Sequence, residues 1–265
     1  MKKLLLTALL AAIGYTIQAQ ELYVNTEPAS NMAARSLGIR LENQGFFNPY
    51  KNRTTLELMY GASKYLMVHG SAYVSNFYQP NQRFEGGSVY AKYRFLSVDT
   101  VQRHFRGAVF AKVSAIKNPV LNQEISLEGD NSAVQTGVVF TQLLHKLALS
   151  GSASYLHAYN NSGGYEVPAG NARDGVGYSL SAGYLLFPKT YTNYEQVNVN
   201  IYAELLGKTN PGYGQSYLDI APALQFIFNS VFRVDLSYRT PLYNDMLRNS
   251  KNMYLVRLEY NIFGL

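Results

Sequence analysis

Four side chains flanking one tight turn have the types and spacing for chemistry: Glu57, Met59, Met67 and His69. If Gly61 faces Tyr65 across the turn, antiparallel pairing sets Met59 opposite Met67 and Glu57 opposite His69, all on one face. Two thioethers and an imidazole are soft ligands suited to Cu(I), and a carboxylate beside the ring orients it. Methionine also fills irregular gaps in packed interiors, and the set lacks a fourth ligand. Met59, Met67 and His69 are therefore carried forward as a candidate metal site.

A second pattern shares the strand. His69-Gly70-Ser71 places a base and a hydroxyl two residues apart, the pair that some lipid-hydrolysing membrane barrels use. Such a pair must face lipid, and the parity described next turns both residues inward. His157 faces outward, yet its neighbours Tyr155 and Ala153 bring no nucleophile; His104 and His145 fall in turns. Nucleophile, base and orienting group are not found together, so no catalytic residue and no cofactor is assigned.

These residues sit on elements with a period of two. In 197–205, Val197, Val199, Ile201, Ala203 and Leu205 alternate with Asn198, Asn200, Tyr202 and Glu204. Alternate side chains of a strand point to opposite faces, so one face is apolar and the other polar. About twelve such segments follow one another from Ser36 onward. Their apolar parity carries no charge. The opposite parity carries Arg40, Glu42, Glu57, Lys92, Arg94, Arg106, Lys112, Glu204, Asp219, Arg233, Asp235, Arg239, Arg257 and Glu259. A Lys or Arg on a lipid face near the bilayer midplane costs about 2–4 kcal/mol, which explains a parity without charge.

A soluble sandwich also keeps one face uncharged, so loop lengths decide between them. Tight connections are expected near 61–64, 143–146 and 229–231, with longer turns at 97–103 and 187–196. Between these fall polar, Gly- and Asn-rich stretches at 43–52, 77–87, 117–131, 159–174, 206–215 and 240–251. Short turns on one rim and long loops on the other mark an outer-membrane meander whose short rim is periplasmic. The expected fold is all-β: a transmembrane antiparallel up-and-down β-barrel of about twelve strands. Pro222 falls within one strand and predicts a bulge or a later strand start.

Composition agrees. There are 23 Tyr, no Trp and no Cys, so an exported domain of this size must hold together without disulfides. Lys2 and Lys3 precede the apolar run 4–13 and Gln18-Ala19-Gln20, the order of a secretory signal peptide over 1–19. Its removal lowers the formal charge from +6 to +4. Basic residues are scattered singly, which excludes a nucleic-acid module. Residues 20–35 show no strand pattern; they are expected to plug the bore or hang in the periplasm, with the barrel at 36–265.

The stretches YLDIAPALQFIF (217–228), FRVDLSYR (232–239) and YLVRLEYNIF (254–263) resemble the outer-membrane barrels grouped with the meta-pathway of phenol degradation, and small-solute outer-membrane channels generally. The resemblance covers the last quarter of the chain by sequence and the rest by architecture. It implies passage of small, often hydrophobic solutes, with outer-membrane lipids and the barrel assembly machinery as partners. Barrels of this kind commonly end in an aromatic residue that the machinery reads; here Phe263 precedes Gly264-Leu265. Twelve strands enclose a bore between a packed interior and an open pore. Eight bases and six acids facing inward predict a bore crossed by ion pairs, with a narrow path at most.

Overall fold

A computed structural model describes residues 23–101, 103–190, 195–249 and 251–265. The proposed signal peptide at 1–19 lies outside them. Twelve strands follow in order: β1 (Ser36–Phe47), β2 (Tyr50–Gly61), β3 (Leu66–Ser75), β4 (Arg83–Thr100), β5 (Arg103–Ile116) and β6 (Ala133–Leu144). The second half comprises β7 (Leu147–Ala158), β8 (Asp174–Phe187), β9 (Asn198–Asn210), β10 (Gln215–Phe228), β11 (Phe232–Asn244) and β12 (Met253–Phe263). Each pairs antiparallel with its chain neighbours, and β1 closes on β12 through a ladder from Ser36↔Phe263 to Gly45↔Tyr254. A closed ladder satisfies every strand's backbone within the sheet, which the hydrocarbon layer demands of any spanning structure.

Apolar and polar faces separate around the whole barrel. Leu41, Leu58, Val89, Val113, Leu180, Ile201, Leu224 and Leu258 are among the exposed large apolar residues, whereas Lys92, Glu204, Asp219, Arg233 and Asp235 are buried. This is the reverse of a water-soluble domain, and it places the barrel in the outer membrane. The outer face is smoothed where a bulky ring meets a bare backbone. Gly207 pairs with Tyr178, and a Cβ there would sit 2.2 Å from the tyrosine ring. Glycine is what lets that ring lie across the strand.

Several connections differ from the expected loops. β1 and β2 continue to Phe47 and Tyr50, so residues 43–52 are mostly strand closed by Asn48-Pro49. β4 and β5 likewise run to Thr100 and Arg103, and β9 and β10 to Asn210 and Gln215. Gln44, Arg53 and Lys208 continue the inward parity, and polar residues facing a polar bore look like loop residues. His104 lies in β5 rather than in a turn. Pro222 stays within β10, exposed and facing lipid, while Ser237 Oγ donates to its carbonyl at 3.1 Å. The register shift with β11 falls earlier, between Leu218 and Asp219.

The lipid face sets a direct test. Leu180 is 64% exposed at the middle of β8. Leu180→Arg is expected to cost about 2–4 kcal/mol in urea-monitored folding into bilayers. A positive charge at its inward neighbour Ser179 is expected to cost distinctly less.

Candidate functional site

The inward parity builds the candidate site, and all fourteen charged positions read from the sequence lie on it. Arg40 is the hub. Its guanidinium meets Glu57 Oε1 at 2.8 Å, Glu259 Oε2 at 2.8 Å and Glu27 Oε1 at 3.2 Å. Glu259 also meets Arg233 at 2.8 Å, Arg233 meets Asp235 at 3.1 Å, and Arg257 joins Asp235 (3.5 Å) to Glu42 (2.5 Å). The chain of pairs runs across β2, β1, β12 and β11, because antiparallel register sets Arg40 opposite both Glu57 and Glu259. Ion pairs taken out of water hold only when each charge is compensated, and this network supplies that compensation. Nearer the other rim, Arg239 meets Asp219 at 3.2 Å and Lys112 meets Glu128 at 3.4 Å. On the far side of the bore Arg106 reaches Asp99 at 3.1 Å, and Arg94 shares the inward face of β4.

The segment before β1 lies inside the bore. Its anchor is Glu204 of β9, whose carboxylate accepts from the backbone N–H of Val24 (3.1 Å) and Asn25 (2.7 Å), from Asn25 Nδ2 (3.1 Å) and from Thr26 Oγ1 (2.7 Å). On the opposite wall Lys92 donates to the carbonyls of Pro28 (2.6 Å) and Ser30 (2.8 Å), and Arg106 donates to Ser30 Oγ at 2.9 Å. Between them the Ala29 N–H donates to Thr141 Oγ1 at 2.9 Å. Tyr23 and Val24 pack with Leu143, Ala148, Tyr202, Ala223 and Leu255. The segment leaves along Gly61, where a Cβ would stand 2.0 Å from the Ala33 carbonyl oxygen. Only a residue without a side chain permits that approach.

The β5–β6 connection, residues 117–132, folds inward from the other rim. Arg53 meets Glu85 at 2.6 Å and Asp130 at 2.7 Å, and the Tyr78 hydroxyl donates to Asp130 at 2.8 Å. Asn118 Nδ2 donates to Glu85 Oε1 at 2.7 Å. Gly129 turns with a φ of 93° against the Arg53 guanidinium, where a Cβ would be 2.5 Å from Nε. Across the mouth, Glu124 accepts from Lys208 Nζ and from the Tyr217 hydroxyl, both at 2.8 Å. The N–H of Gln123 donates to the Leu247 carbonyl at 2.8 Å, joining this loop to the β11–β12 loop. Arg248 from that loop meets Asp219 at 2.5 Å. Val120, Ile125 and Leu127 pack with Leu156 and Val167.

Between the two inward segments lies a cavity of about 310 Å³. Asn25, Thr26 and Glu27 line it from one end, and Glu124, Glu128 and Asp130 from the other. One wall is charged, with Arg40, Glu57 and Arg257; the facing wall carries hydroxyls and amides, with Gln135, Ser152, Ser154 and Ser179. Burial raises the affinity of Glu27 for a proton, but Arg40 and Lys92 outweigh it and bring its pKa from 4.5 to about 2. Glu124 falls to about 2 in the same way, burial being overcome by Lys208 and Arg239.

The pairing around the tight turn differs from expectation. β2 and β3 are joined by residues 62–65, so Gly61 faces Met67, Met59 faces His69 and Glu57 faces Ser71. The register is moved by two residues, one position on the same face, because Gly61 pairs with Met67, two residues further along the chain than Tyr65. Met59, Met67 and His69 are nevertheless all buried on the inward face. Ser71 Oγ donates to Glu57 Oε2 at 2.8 Å while His69 Nδ1 lies 3.4 Å from Glu57 Oε1, so the carboxylate separates hydroxyl from imidazole. Outside, His157 Nδ1 is 2.7 Å from Asp174 Oδ1, which the Tyr155 hydroxyl also reaches.

Sequence reading missed Arg53, Glu85, Glu124, Asp130, Lys208 and Arg248. Arg53 and Lys208 continue the parities of Thr55-Glu57 and Glu204-Leu206, a signal available in the sequence but hidden for Lys208 by the loop expected at 206–215 and for Arg53 by its place just after the loop expected at 43–52. Glu124, Asp130 and Arg248 come from loops whose inward course no local pattern encodes.

A closed meander, an apolar exterior and a charged bore define a transmembrane β-barrel of the outer-membrane kind. No family model and no curated protein matches the chain. Among solved structures, an outer-membrane channel from Pseudomonas putida F1 is similar over 91% of this chain and all of that one (100%), with a TM-score of 0.57 at 11% identity. The KdgM porin, solved in complex with disordered oligogalacturonate, is similar over 86% of this chain and 99% of its own, with a TM-score of 0.50 at 11% identity. At such identity the likeness is one of fold.

The inner anchor is testable with a thiol. In an Ala29→Cys background, residue 29 is buried and is expected to resist maleimide. Glu204→Ala leaves the buried Val24 N–H and the half-buried Asn25 N–H without their acceptor, at about 1–3 kcal/mol for the buried one, and is expected to expose that thiol. Acid should do the same. Because docking lowers the pKa of Glu27 from 4.5 to about 2, its contribution is complete above 4.5 and is lost as pH falls toward 2. Read with a dipyridyl disulfide, which unlike maleimide still reacts with thiols in acid, exposure of the thiol is therefore expected to be unchanged between pH 7 and 5 and to rise between about 4.5 and 2.

Proposed function

We propose that the protein is a gated outer-membrane channel for small polar solutes. The observation that carries this reading is the chamber of about 310 Å³ held between two inward-folded segments. Its walls combine paired charges with hydroxyls and amides, which can replace the hydration of a polar solute. Two solved channels share the fold. The resemblance to barrels of the phenol meta-pathway points to more hydrophobic cargo; the polar lining favours polar cargo instead.

In this reading the described residues 23–35 are the inner plug and residues 117–132 the outer constriction. The plug is the part built to move. It is a short segment held to the wall by hydrogen bonds, by the Glu27–Arg40 ion pair and by packing of Tyr23 and Val24, and it runs into β1 at Ser36, whereas the outer loop is continuous with strands at both ends and tied to the β11–β12 loop. The fourteen inward charges act as the lining and the props of the path, and none acts as a catalyst. Membrane lipids contact the apolar face, and the barrel assembly machinery is the expected insertion partner.

Planar-bilayer recording tests the reading. The full chain is expected to show small or rare openings, and a variant lacking residues 23–32 to show steady conductance several-fold larger. Proteoliposomes with that variant should swell in solutes smaller than the chamber before larger ones. Two equally silent proteins, with both shown to be folded, would contradict a channel.

A further inference from the structure

We propose that the inner end of the bore holds a soft monovalent metal ion, Cu(I) or Ag(I), between the barrel wall and the inserted segment. His69 provides the first argument. Its ring is buried, its Nδ1 lies 3.4 Å from Glu57 Oε1, and its Nε2 has no hydrogen-bond partner among the described residues. A carboxylate on one ring nitrogen fixes the tautomer and leaves the lone pair of the other free, which is how a metal-binding histidine is prepared. Tyr90 packs against the ring, with centroids 4.9 Å apart, and holds its orientation.

Three methionines are placed beside it by the register and by the inserted segment. Met59 is the direct cross-strand partner of His69, and Met67 precedes His69 by two on the same face. Opposed residues place their Cβ atoms about 4.5–5.5 Å apart, and diagonal ones remain within reach of long side chains. The third comes from the inserted segment: Met32 Cγ lies 3.0 Å from where a Cβ on Gly61 would be, and Gly61 is the direct partner of Met67. This is the fourth ligand that the strands alone did not supply. Three of the six methionines of the chain therefore gather at one place with its one buried, half-bonded histidine.

The methyl of Met59 lies over Gly38, so binding turns this unbranched side chain toward His69. Neutral thioethers and one imidazole select Cu(I) or Ag(I) over Zn²⁺ and need no deprotonation of sulfur. The nearby ammonium of Lys92 is occupied by the carbonyls of Pro28 and Ser30. Because Met32 belongs to the inserted segment, metal ties that segment to β2 and β3.

The test uses the refolded full-length protein, anaerobic Cu(I) with a competing chromogenic chelator, and Ag(I) as a redox-inert probe. One ion per chain is expected, with sulfur and nitrogen in the X-ray absorption spectrum. Met59→Leu/Met67→Leu keeps the packing volume and is expected to weaken binding at least tenfold. Met32→Leu alters no strand residue and is expected to remove one sulfur neighbour. Heat-modified gel mobility verifies that each variant is folded. Binding no tighter than in the double variant, or a spectrum without sulfur, would overturn the site. Neither readout depends on whether the barrel conducts.

Discussion

A barrel that presents hydrocarbon to lipid around its whole circumference has one place for its charges within the membrane, and that is the bore. Here the consequence is a lumen in which charge must be neutralised at short range. Arg40 sits at its centre, opposite Glu57 on one strand and Glu259 on the other, with Glu27 reaching in from the inserted segment. Removing any one carboxylate would leave the others to carry a buried guanidinium, so the network specifies the position of the segment as well as the register of three strands.

The two ends of the chamber are closed by different means. At the inner end, Glu204 gathers consecutive backbone N–H groups and Lys92 gathers backbone carbonyls, and the side chains of Asn25, Thr26, Glu27 and Ser30 add further bonds to the wall. At the outer end, ion pairs of Arg53, Lys208 and Arg248 with Asp130, Glu124 and Asp219 draw two loops together, helped by a small apolar cluster around Leu127 and Leu156. The outer closure is continuous with β5 and β6 and is tied to the β11–β12 loop, whereas the inner segment meets the wall mainly through the polar contacts of residues 24–30.

Strand parity was readable because it depends only on neighbours two residues apart; Val199 and Ile201 face lipid for a reason visible in the sequence. Strand ends were harder. Arg53 and Lys208 face a polar bore, and a polar residue facing water in a loop looks the same as one facing a polar lumen. The contact between Val24 and Glu204 spans 180 positions. No local pattern predicts it, since a lone glutamate on an inward face is satisfied equally by a neighbouring cation. The shifted register of Met59 and His69 arose at a turn, where a connection two residues longer moves every pair by one position on the same face. Met32 illustrates the same limit: its place beside Gly61 follows from the course of the segment through the bore and not from its neighbours in sequence.

The central claim is that residues 23–32 are a built part of the lumen. Hydrogen exchange of the folded barrel in bilayers measures it most directly, at the amides of Val24, Asn25 and Ala29, whose N–H groups are bonded to Glu204 and Thr141. The account predicts exchange slowed by orders of magnitude relative to an unstructured peptide, and selectively accelerated when Glu204 is replaced. Exchange at the unstructured rate in the unaltered protein would contradict it.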